Sequence, residues 1–447
     1  MKSNKIKIVI ILFLATLPGF SQEILTKKEA LEIALENNFG IKIANNNLEV
    51  AQNNAGIYNS GYLPTAALTS GADYRNNNQK IVFTDPQTGN DASRLGTGVV
   101  TKSYNASLGL NYTIFDGLGR KYNYQQLKET YNLTALQAKE TIENTYLQLF
   151  TVYFQIARLS ENTLNLEEAL TISKRRLKRA NYQYDYGQST KLEVLNAEVD
   201  INNDSILVIN ATQQLSNAKR GLNVILGIEK DVNYQVETAV NFNKLMNFEA
   251  LQQKTTANNT ALKQNQKNIA ISAFNIKINK ANYLPSLNFS TSYGFNRTEN
   301  ENLVNPFGAR LITSDGLNAG LNLSWNIFDG GVTKTRVANA KIALETQQIL
   351  LEQQKVTIQN SLKNTWENYK NQLFILKSQE KNVQTTQNNF DRTQENYKLG
   401  QVTSIAFRQA QINLINSKTA ANNAKFDAKL IELQLLQLSG DILNVQF

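Results

Sequence analysis

Residues 104–117, YNASLGLNYTIFDG, decide the fold of this 447-residue chain, because a matching stretch, LNAGLNLSWNIFDG, returns at residues 317–330. Both stretches alternate apolar with small polar residues and end in Ile-Phe-Asp-Gly, and their final glycines, Gly117 and Gly330, lie 213 positions apart. Two more glycine pairs have the same separation: Gly187 with Gly400, and Gly227 with Gly440. A repeat at one fixed separation indicates a tandem duplication.

The alternation predicts β-strands with one apolar and one polar face. A further alternating stretch precedes each of the two, so four strands are expected, in two hairpins: 66–74 with 104–114, and 287–295 with 317–327. The polar segments within the hairpins, about 76–101 and 297–314, are expected to be loops. Each strand has about the ten residues that a tilted strand needs to cross a bilayer.

Long helices are expected after each Asp-Gly pair. No proline occurs between Gly117 and Gly187 or between Gly330 and Gly400, and each interval is long enough for a helix of roughly 100 Å. Apolar residues spaced by threes and fours resume beyond Gly187 and Gly400, which indicates antiparallel coiled-coil hairpins that turn at these glycines. The expected apolar seams contain Leu192, Leu195, Val199, Ile206 and Ile209 after the first turn, and Ile405, Ile412 and Ile415 after the second.

The chain therefore divides into an export signal and two repeats. The first repeat, 22–230, contains a helix, a β-hairpin at 63–116 and a long helical hairpin whose tip is at 187. The second repeat, 231–447, contains an equatorial linker, a helix, a β-hairpin at 284–329 and a long helical hairpin whose tip is at 400. Tyr-Leu-Pro marks the point in each repeat where helix gives way to extended chain.

The first 21 residues predict a signal peptide. Three lysines precede an apolar run from Ile8 to Leu17, and small residues before position 22 predict cleavage after Ser21. The run is shorter than the roughly 20 residues of a spanning helix, which favours a removable signal over a membrane anchor. Cleavage lowers the net charge from +9 to +6.

The chain contains no cysteine and no histidine. Disulfides, thiol nucleophiles, imidazole bases and most transition-metal sites are therefore excluded, and no pair of carboxylates stands out as catalytic. We expect no enzyme activity, no cofactor and no metal site. The basic run Lys174-Arg-Arg-Leu-Lys-Arg179 is interpreted as a solvated helical face rather than a nucleic-acid site, because the other cations are scattered among carboxylates.

Four strands per chain cannot close a barrel, and an open sheet edge in lipid leaves backbone groups unpaired. Three chains would supply twelve strands, an even number that closes around a polar lumen. A soluble antiparallel sheet with one covered face is the alternative. A membrane barrel is favoured because no other apolar mass could cover the sheet, and because aromatic residues lie toward the expected strand ends: Tyr74, Tyr112, Phe115, Phe295, Trp325 and Phe328.

The order of the motifs in this chain resembles the order of motifs in the outer-membrane efflux proteins of the TolC family. Tyr-Leu-Pro entries, Ile-Phe-Asp-Gly exits and Tyr-x-x-Gly-Gln tips, at 184–188 and 397–401, follow one another in both repeats. The resemblance implies a mainly helical α+β fold, with a long coiled-coil helical barrel in the periplasm and a twelve-stranded β-barrel in the outer membrane of a Gram-negative bacterium. It also implies a homotrimer that serves as the passive conduit of a tripartite efflux or type I secretion system, driven by an inner-membrane pump through a periplasmic adaptor.

Roles for the tips follow from the same resemblance. Adaptor contacts are expected at the hairpin tips: Gly187, Gln188, Gly400 and Gln401. A periplasmic constriction is expected at Glu193, Tyr397 and Arg408, although Val402, Ala406 and Gln409 depart from the family's charged pattern. The strand-to-helix turns are expected at Asp116, Gly117, Asp329 and Gly330.

A structural or adhesive coiled-coil protein of the periplasm or cell surface, without a channel, is the alternative function. Within the channel class, drugs, proteins and metal ions all stay open as substrates. Met1 and Met246 are the only methionines, so soft ligands for a transported metal are scarce. Besides protein partners, outer-membrane lipid is expected to contact the chain, and nucleic acid is not.

Overall fold

A computed structural model describes residues 24–243, 246–305 and 308–445. The predicted signal peptide, residues 1–21, lies outside this part of the chain. The contacts divide the chain into two units. One unit contains the residues through 47 together with 135–264 and 351 onward, and the other contains 48–134 and 265–350.

The same series of elements occurs twice along the chain, as the duplication predicts. The first series is β1 (Ile24–Leu25), α1 (Lys27–Asn37), α2 (Phe39–Asn54), β2 (Thr65–Thr84), β3 (Asp91–Asp116), α3 (Gly119–Asp185) and α4 (Lys191–Leu226). The second is β4 (Gln235–Val236), α5 (Phe248–Asn258), α6 (Thr260–Ala281), β5 (Ser286–Glu301), β6 (Leu311–Ser324), α7 (Val332–Lys398) and α8 (Ser404–Leu438).

The four long strands form one antiparallel sheet in the order β2-β3-β5-β6. The two hairpins meet along β3 and β5, whose register pairs Leu108 with Tyr293 and Tyr112 with Phe289. Within the described residues, β2 and β6 each have a partner strand on one side alone, so the sheet has two open edges. This is the open four-stranded sheet that the sequence predicts.

The prediction of long polar loops within the hairpins is wrong for the first hairpin and partly wrong for the second. Strand β2 continues to Thr84 and pairs with β3 as far as Asp91, so residues 85–90 alone form the turn. Ile81, Val82 and Phe83 lie in this extension, and such β-branched and aromatic residues favour a strand. Because the strands run on, Tyr74 lies within β2 rather than at its end.

The end of the fourth strand also differs from the prediction. Strand β6 ends at Ser324, which pairs with Ser286, the first residue of β5. Beyond this pair β5 offers no further partner, so residues 325–328 leave the ladder. The Trp325 indole Nε1 donates a hydrogen bond to the carbonyl oxygen of Tyr283 at 3.1 Å instead.

The long helices end at the predicted glycines. Helices α3 and α7 each contain 67 residues, and short turns around Gly187 and Gly400 connect them to α4 and α8. The predicted seam of α4 is wrong, because Leu192, Leu195, Val199, Ile206 and Ile209 are 48–66% exposed. We call these five residues the α4 stripe.

Near the tip, the residues that α4 buries are smaller than those of the α4 stripe. Val194 and Ala197 pack against Leu177 and Ala180 of α3, because small side chains let two helices approach closely. The second hairpin differs from its prediction only in part: Ile405 is exposed, but Ile412 and Ile415 are partly buried. Phe407, Ala410 and Leu414 pack against Phe390. Sequence spacing identified an apolar face in each helix but not the face that the chain itself covers.

An aromatic core lies in the unit that contains residues 135–264. Tyr146, Phe150, Tyr153 and Phe154 of α3 are buried together with Phe426 of α8. The Tyr153 hydroxyl donates to the Leu25 carbonyl at 2.6 Å and accepts from the Glu237 backbone N–H at 3.0 Å. This single side chain therefore links α3 to both strands of the small parallel sheet β1–β4.

An asparagine interrupts the N-terminal helix of each repeat where the sequence predicted continuous helix. The Asn38 side chain donates to the Ile225 carbonyl at 2.7 Å and accepts from the Ile41 N–H at 3.2 Å. Asn259 makes the same two contacts in the second repeat. It donates to the Leu438 carbonyl at 2.9 Å and accepts from the Leu262 N–H at 3.2 Å. Each asparagine thus caps the next helix and binds the end of that repeat's last helix, and we call the arrangement the asparagine joint.

Two glycines with the same backbone conformation offer a test of the first asparagine joint. Gly227 and Gly187 have φ values of 68° and 72°, but a Cβ at Gly227 would collide with the carbonyl of Asn37, whereas a Cβ at Gly187 has nothing within 4 Å. Both alanine substitutions incur the left-handed backbone penalty of about 1–2 kcal/mol. We expect Gly227→Ala to cost about 1–3 kcal/mol more, through overpacking. Chemical denaturation of the two variants measures the difference, and equal losses would contradict the joint's tight packing.

Candidate functional site at the helical hairpin tips

Both hairpin tips are closed by the same backbone hydrogen bonds. At the first tip the N–H of Gly187 bonds to the Tyr184 carbonyl at 2.9 Å, and the N–H of Gln188 bonds to the Gln183 carbonyl at 2.7 Å. At the second tip the N–H of Gly400 bonds to the Tyr397 carbonyl at 3.1 Å, and the N–H of Gln401 bonds to the Asn396 carbonyl at 2.9 Å. The left-handed glycine with these two bonds satisfies the last carbonyls of the helix. The four residues assigned to adaptor contacts therefore lie on the turns themselves.

The three residues assigned to a constriction lie in different surroundings. Glu193 is in the first turn of α4, near the N-terminus of that helix. The Tyr397 ring stacks on Phe407, with centroids 4.8 Å apart and planes 5° apart, and the Arg179 guanidinium lies 5.0 Å from the Tyr397 centroid. Arg408 is engaged in a buried cluster of charges. Glu193 and Arg408 line one cavity of about 290 Å³, whereas Tyr397 lines another.

The cluster consists of two arginines and two aspartates, of which Arg176 and Asp204 are buried and Arg408 and Asp200 are partly buried. Arg408 of α8 binds Asp204 of α4 through two hydrogen bonds, from Nη2 to Oδ1 at 2.6 Å and from Nη1 to Oδ2 at 2.9 Å. Arg176 of α3 pairs with Asp200, whose Oδ1 also lies 3.5 Å from Arg408 Nε. We call these four residues the charge cluster.

Two polar side chains complete its surroundings. The Ser173 hydroxyl donates to Asp204 Oδ2 at 2.6 Å, and Gln411 Nε2 donates to the Ala169 carbonyl at 2.8 Å. Since Ser173 and Arg176 belong to α3, and Arg408 and Gln411 to α8, the charge cluster links the first helical hairpin to the second. Any separation of the two hairpins at this level must break it.

Sequence reasoning missed the aspartates and misread one arginine. Arg176 is only 3% exposed, so the interpretation of residues 174–179 as a solvated face is wrong at this position. The available signal was the i, i+4 spacing of Asp200 and Asp204, which places two carboxylates on one face of α4. The partner of each carboxylate lies on another helix, and spacing within one helix cannot identify it.

The strand-to-helix residues Asp116 and Asp329 both cap a long helix. Asp116 ends β3, and its carboxylate accepts from the Arg120 N–H at 2.8 Å. Asp329 accepts from the Thr333 N–H at 2.8 Å and from the Gly331 N–H at 3.0 Å. Hydrogen bonds from Thr333, first from its side chain and then from its backbone, lower the pKa of Asp329. A carboxylate that receives such bonds stabilises the start of a helix.

Neither a metal site nor a spanning helix is found in the described chain. Across residues 24–243, 246–305 and 308–445, no cluster of three or more carboxylates has the geometry to hold a metal ion. In the same ranges, no helix combines the length and the hydropathy needed to cross a membrane.

Comparison with known proteins gives one consistent match. The family model described as outer membrane efflux protein matches residues 30–228 and 251–441. Outer membrane protein TolC of Vibrio cholerae is 23% identical over 211 residues, 46% of this chain and 47% of TolC, so the match spans about half the length of that relative.

Solved structures share the fold over nearly the whole chain. The CmeC outer membrane channel of Campylobacter jejuni is 18% identical with a TM-score of 0.73, covering 93% of this chain and 85% of its own. The outer membrane protein VceC of Vibrio cholerae is 15% identical with a TM-score of 0.71, covering 92% of this chain and 95% of its own.

Proposed function

This chain belongs to the outer membrane efflux protein family, and from that premise we propose that it is the outer-membrane channel of a tripartite efflux or type I secretion system. The solved structures confirm the predicted TolC-like fold, and the family match confirms the predicted outer-membrane location. Proteins of this family are transport conduits rather than enzymes. In the proposal, three copies form a passive channel, and an inner-membrane pump drives transport through a periplasmic adaptor.

The open sheet is the observation that carries the proposal of a homotrimer. Within the described residues the outer edges of β2 and β6 have no partner strand. Unpaired backbone groups at these edges are costly in hydrocarbon, so a membrane-inserted sheet must pair β6 of one copy with β2 of the next. Three copies close twelve strands, an even number within the range of outer-membrane barrels.

The α4 stripe supports the same assembly. Its five apolar residues lie on one helix and are exposed in the isolated chain. A row of exposed apolar side chains on a helix indicates an interaction surface, because burying it contributes about 25 cal/mol per Å². A neighbouring copy would cover the stripe when the helical hairpins of three chains stand side by side.

Transport through such a channel requires no covalent chemistry. The proposed gate is a separation of the two helical hairpins, which the charge cluster opposes. An adaptor that binds the tips at Gly187, Gln188, Gly400 and Gln401 opens the channel if it binds the separated form more tightly than the closed form. The pump supplies the energy.

The decisive experiment combines native mass with conductance. The mature protein, extracted from outer membranes in detergent, is expected to have the mass of three chains and to form conducting pores in planar bilayers. The alternative, a structural coiled-coil protein, predicts release by osmotic shock and no conductance. A stable monomer in the absence of detergent would contradict both the trimer and the membrane sheet.

The proposed constriction at Glu193, Tyr397 and Arg408 makes a separate prediction. Glu193→Ala is expected to lower cation preference because it removes a negative charge, and Tyr397→Phe is expected to change conductance because it removes a hydroxyl while keeping the stack on Phe407. Single-channel recordings measure both, with Glu198→Ala, an exposed carboxylate further along α4, as the control. Wild-type conductance and selectivity in both variants would reject this constriction.

A further inference from the structure

A cavity of about 240 Å³ lies between α3, α7 and α8 and shares Arg176 with the charge cluster. Arg175, Arg176 and Arg179 of α3 and Lys398 of α7 supply four cations to its lining, and no carboxylate lines it. Tyr397 and Phe407 supply an aromatic wall. We call this cavity the arginine pocket.

Two of its arginines have buried donors that no acceptor satisfies. Arg176 is 3% exposed and gives one nitrogen to Asp200, but its Nε and Nη1 have no hydrogen-bond partner in the described chain. The Nε of Arg179 is likewise buried without an acceptor, although Nη2 of the same side chain donates to the Lys398 carbonyl at 2.9 Å. Buried guanidinium donors are normally satisfied, so these two side chains lack an acceptor for part of their charge.

The surrounding charges do not supply that acceptor. Glu395 pairs with Lys398 at 2.7 Å on the exposed surface, and Asp200 and Asp204 are engaged in the charge cluster. Burial, followed by the nearby charge of Arg408, lowers the pKa of Arg176, which is the direction expected for a cation with too little compensation. An anion in the pocket would therefore offset the excess of positive charge.

The walls restrict the kind of anion. The Tyr397 and Phe407 rings are parallel and 4.8 Å apart, and Ile172 adds an aliphatic surface. A cavity of about 150 Å³ lined by apolar side chains holds benzene, so the larger arginine pocket has room for one aromatic ring with a small charged group. A bare inorganic anion would leave the apolar wall unused, and a neutral aromatic would leave the arginine donors unused.

We propose that the arginine pocket binds a small aromatic carboxylate. Its carboxylate accepts hydrogen bonds from Arg175 and Arg179, the more accessible arginines of the lining, and its ring lies against Tyr397 and Ile172. The ligand would join α3 to α7 and α8, and so would strengthen the contact between the two helical hairpins. This site does not depend on the proposed transport function, because every residue of it lies within one chain.

Titration of the mature, full-length protein in detergent with benzoate tests the site, with benzamide as the neutral analogue of the same shape. We expect saturable benzoate binding that is at least about tenfold tighter than benzamide binding, since hydrogen bonds to charged groups are the stronger ones. Arg179→Gln and Arg175→Gln are expected to weaken benzoate binding by a similar factor. Lys174→Gln, an exposed cation beside Arg175 that does not line the pocket, is the matched control.

Several results would overturn the proposal. They are the absence of saturable benzoate binding, equal binding of benzamide, and a loss in Lys174→Gln as large as in the two arginine variants. Displacement of benzoate by inorganic phosphate at equal concentration would also overturn it, because the aromatic wall would then contribute nothing. Circular dichroism and native mass of each variant separate a lost site from a lost fold, and Arg175→Gln is the cleaner variant because that side chain is exposed.

Discussion

Asp204→Ala is expected to lower the free energy of unfolding by about 3–5 kcal/mol, the usual cost of removing one partner from a buried ion pair. Asp204 is 3% exposed and accepts two hydrogen bonds from Arg408 and one from Ser173. Without it, the partly buried Arg408 keeps only Asp200, at 3.5 Å from its Nε, as a carboxylate partner. The loss comes mostly from this uncompensated charge rather than from the hydrogen bonds themselves.

Denaturation of the detergent-extracted protein, followed by circular dichroism, measures the effect. Glu198→Ala, an exposed carboxylate on the same helix, is the control and is expected to change stability by less than about 0.5 kcal/mol. The double variant Asp204→Ala with Arg408→Leu is expected to recover much of the loss, because it removes the stranded cation. If Asp204→Ala and Glu198→Ala behave alike, the charge cluster does not hold the hairpins together.

Leu321→Arg is expected to prevent accumulation of the protein in the outer membrane. Leu321 lies on β6 opposite Phe289 and is 66% exposed, on the same face as Leu317 and Leu323. An arginine on the lipid face costs up to about 2–4 kcal/mol, depending on its depth in the bilayer, and the proposed trimer incurs that cost three times. The cost per assembly is then comparable to the whole stability of a typical domain.

Asn322→Arg is the matched control, because adjacent strand residues point to opposite faces of a sheet. Asn322 pairs with Asn288, and in the proposed barrel this face lines the aqueous lumen, where arginine remains hydrated. Quantifying each variant in outer-membrane fractions compares the two faces directly. Equal amounts of Leu321→Arg and Asn322→Arg protein would show that Leu321 does not face lipid.

The repeated parts of the fold are predictable from the sequence, because they depend on local patterns. Alternation over residues 104–114 requires a strand, and a long interval without proline ending at Gly187 requires a helix and a turn. The same local rules fail where a segment forms a strand only because another strand pairs with it. Residues 76–80 are all polar and look like a loop by composition, yet they form strand because residues 95–100 are available to pair with them.

The sites depend on contacts between distant parts of the chain, and most of them could not be predicted. A basic run on a helix is ordinarily solvated, and Arg176 is buried because Asp200, on the next helix, lies beside it. Likewise the spacing of the α4 stripe shows an apolar face of α4. Within the chain, however, Val194 and Ala197 make the contact with α3, because their smaller side chains let the two helices approach closely. The tip glycines were accessible to sequence reasoning, since a left-handed turn leaves a recognisable residue.

Each asparagine joint closes a repeat on itself, since Asn38 binds the carbonyl of Ile225 and Asn259 binds that of Leu438. Neither repeat borrows its closing contact from the other. A gene for a single ancestral repeat would thus have encoded a subunit that already secured its own ends, and six such subunits would have formed the ring that three duplicated chains form in the proposed trimer. Fusion of two ancestral copies then freed each half to diverge, which is consistent with the first β-hairpin being the longer of the two and with the charge cluster using different residues from each half.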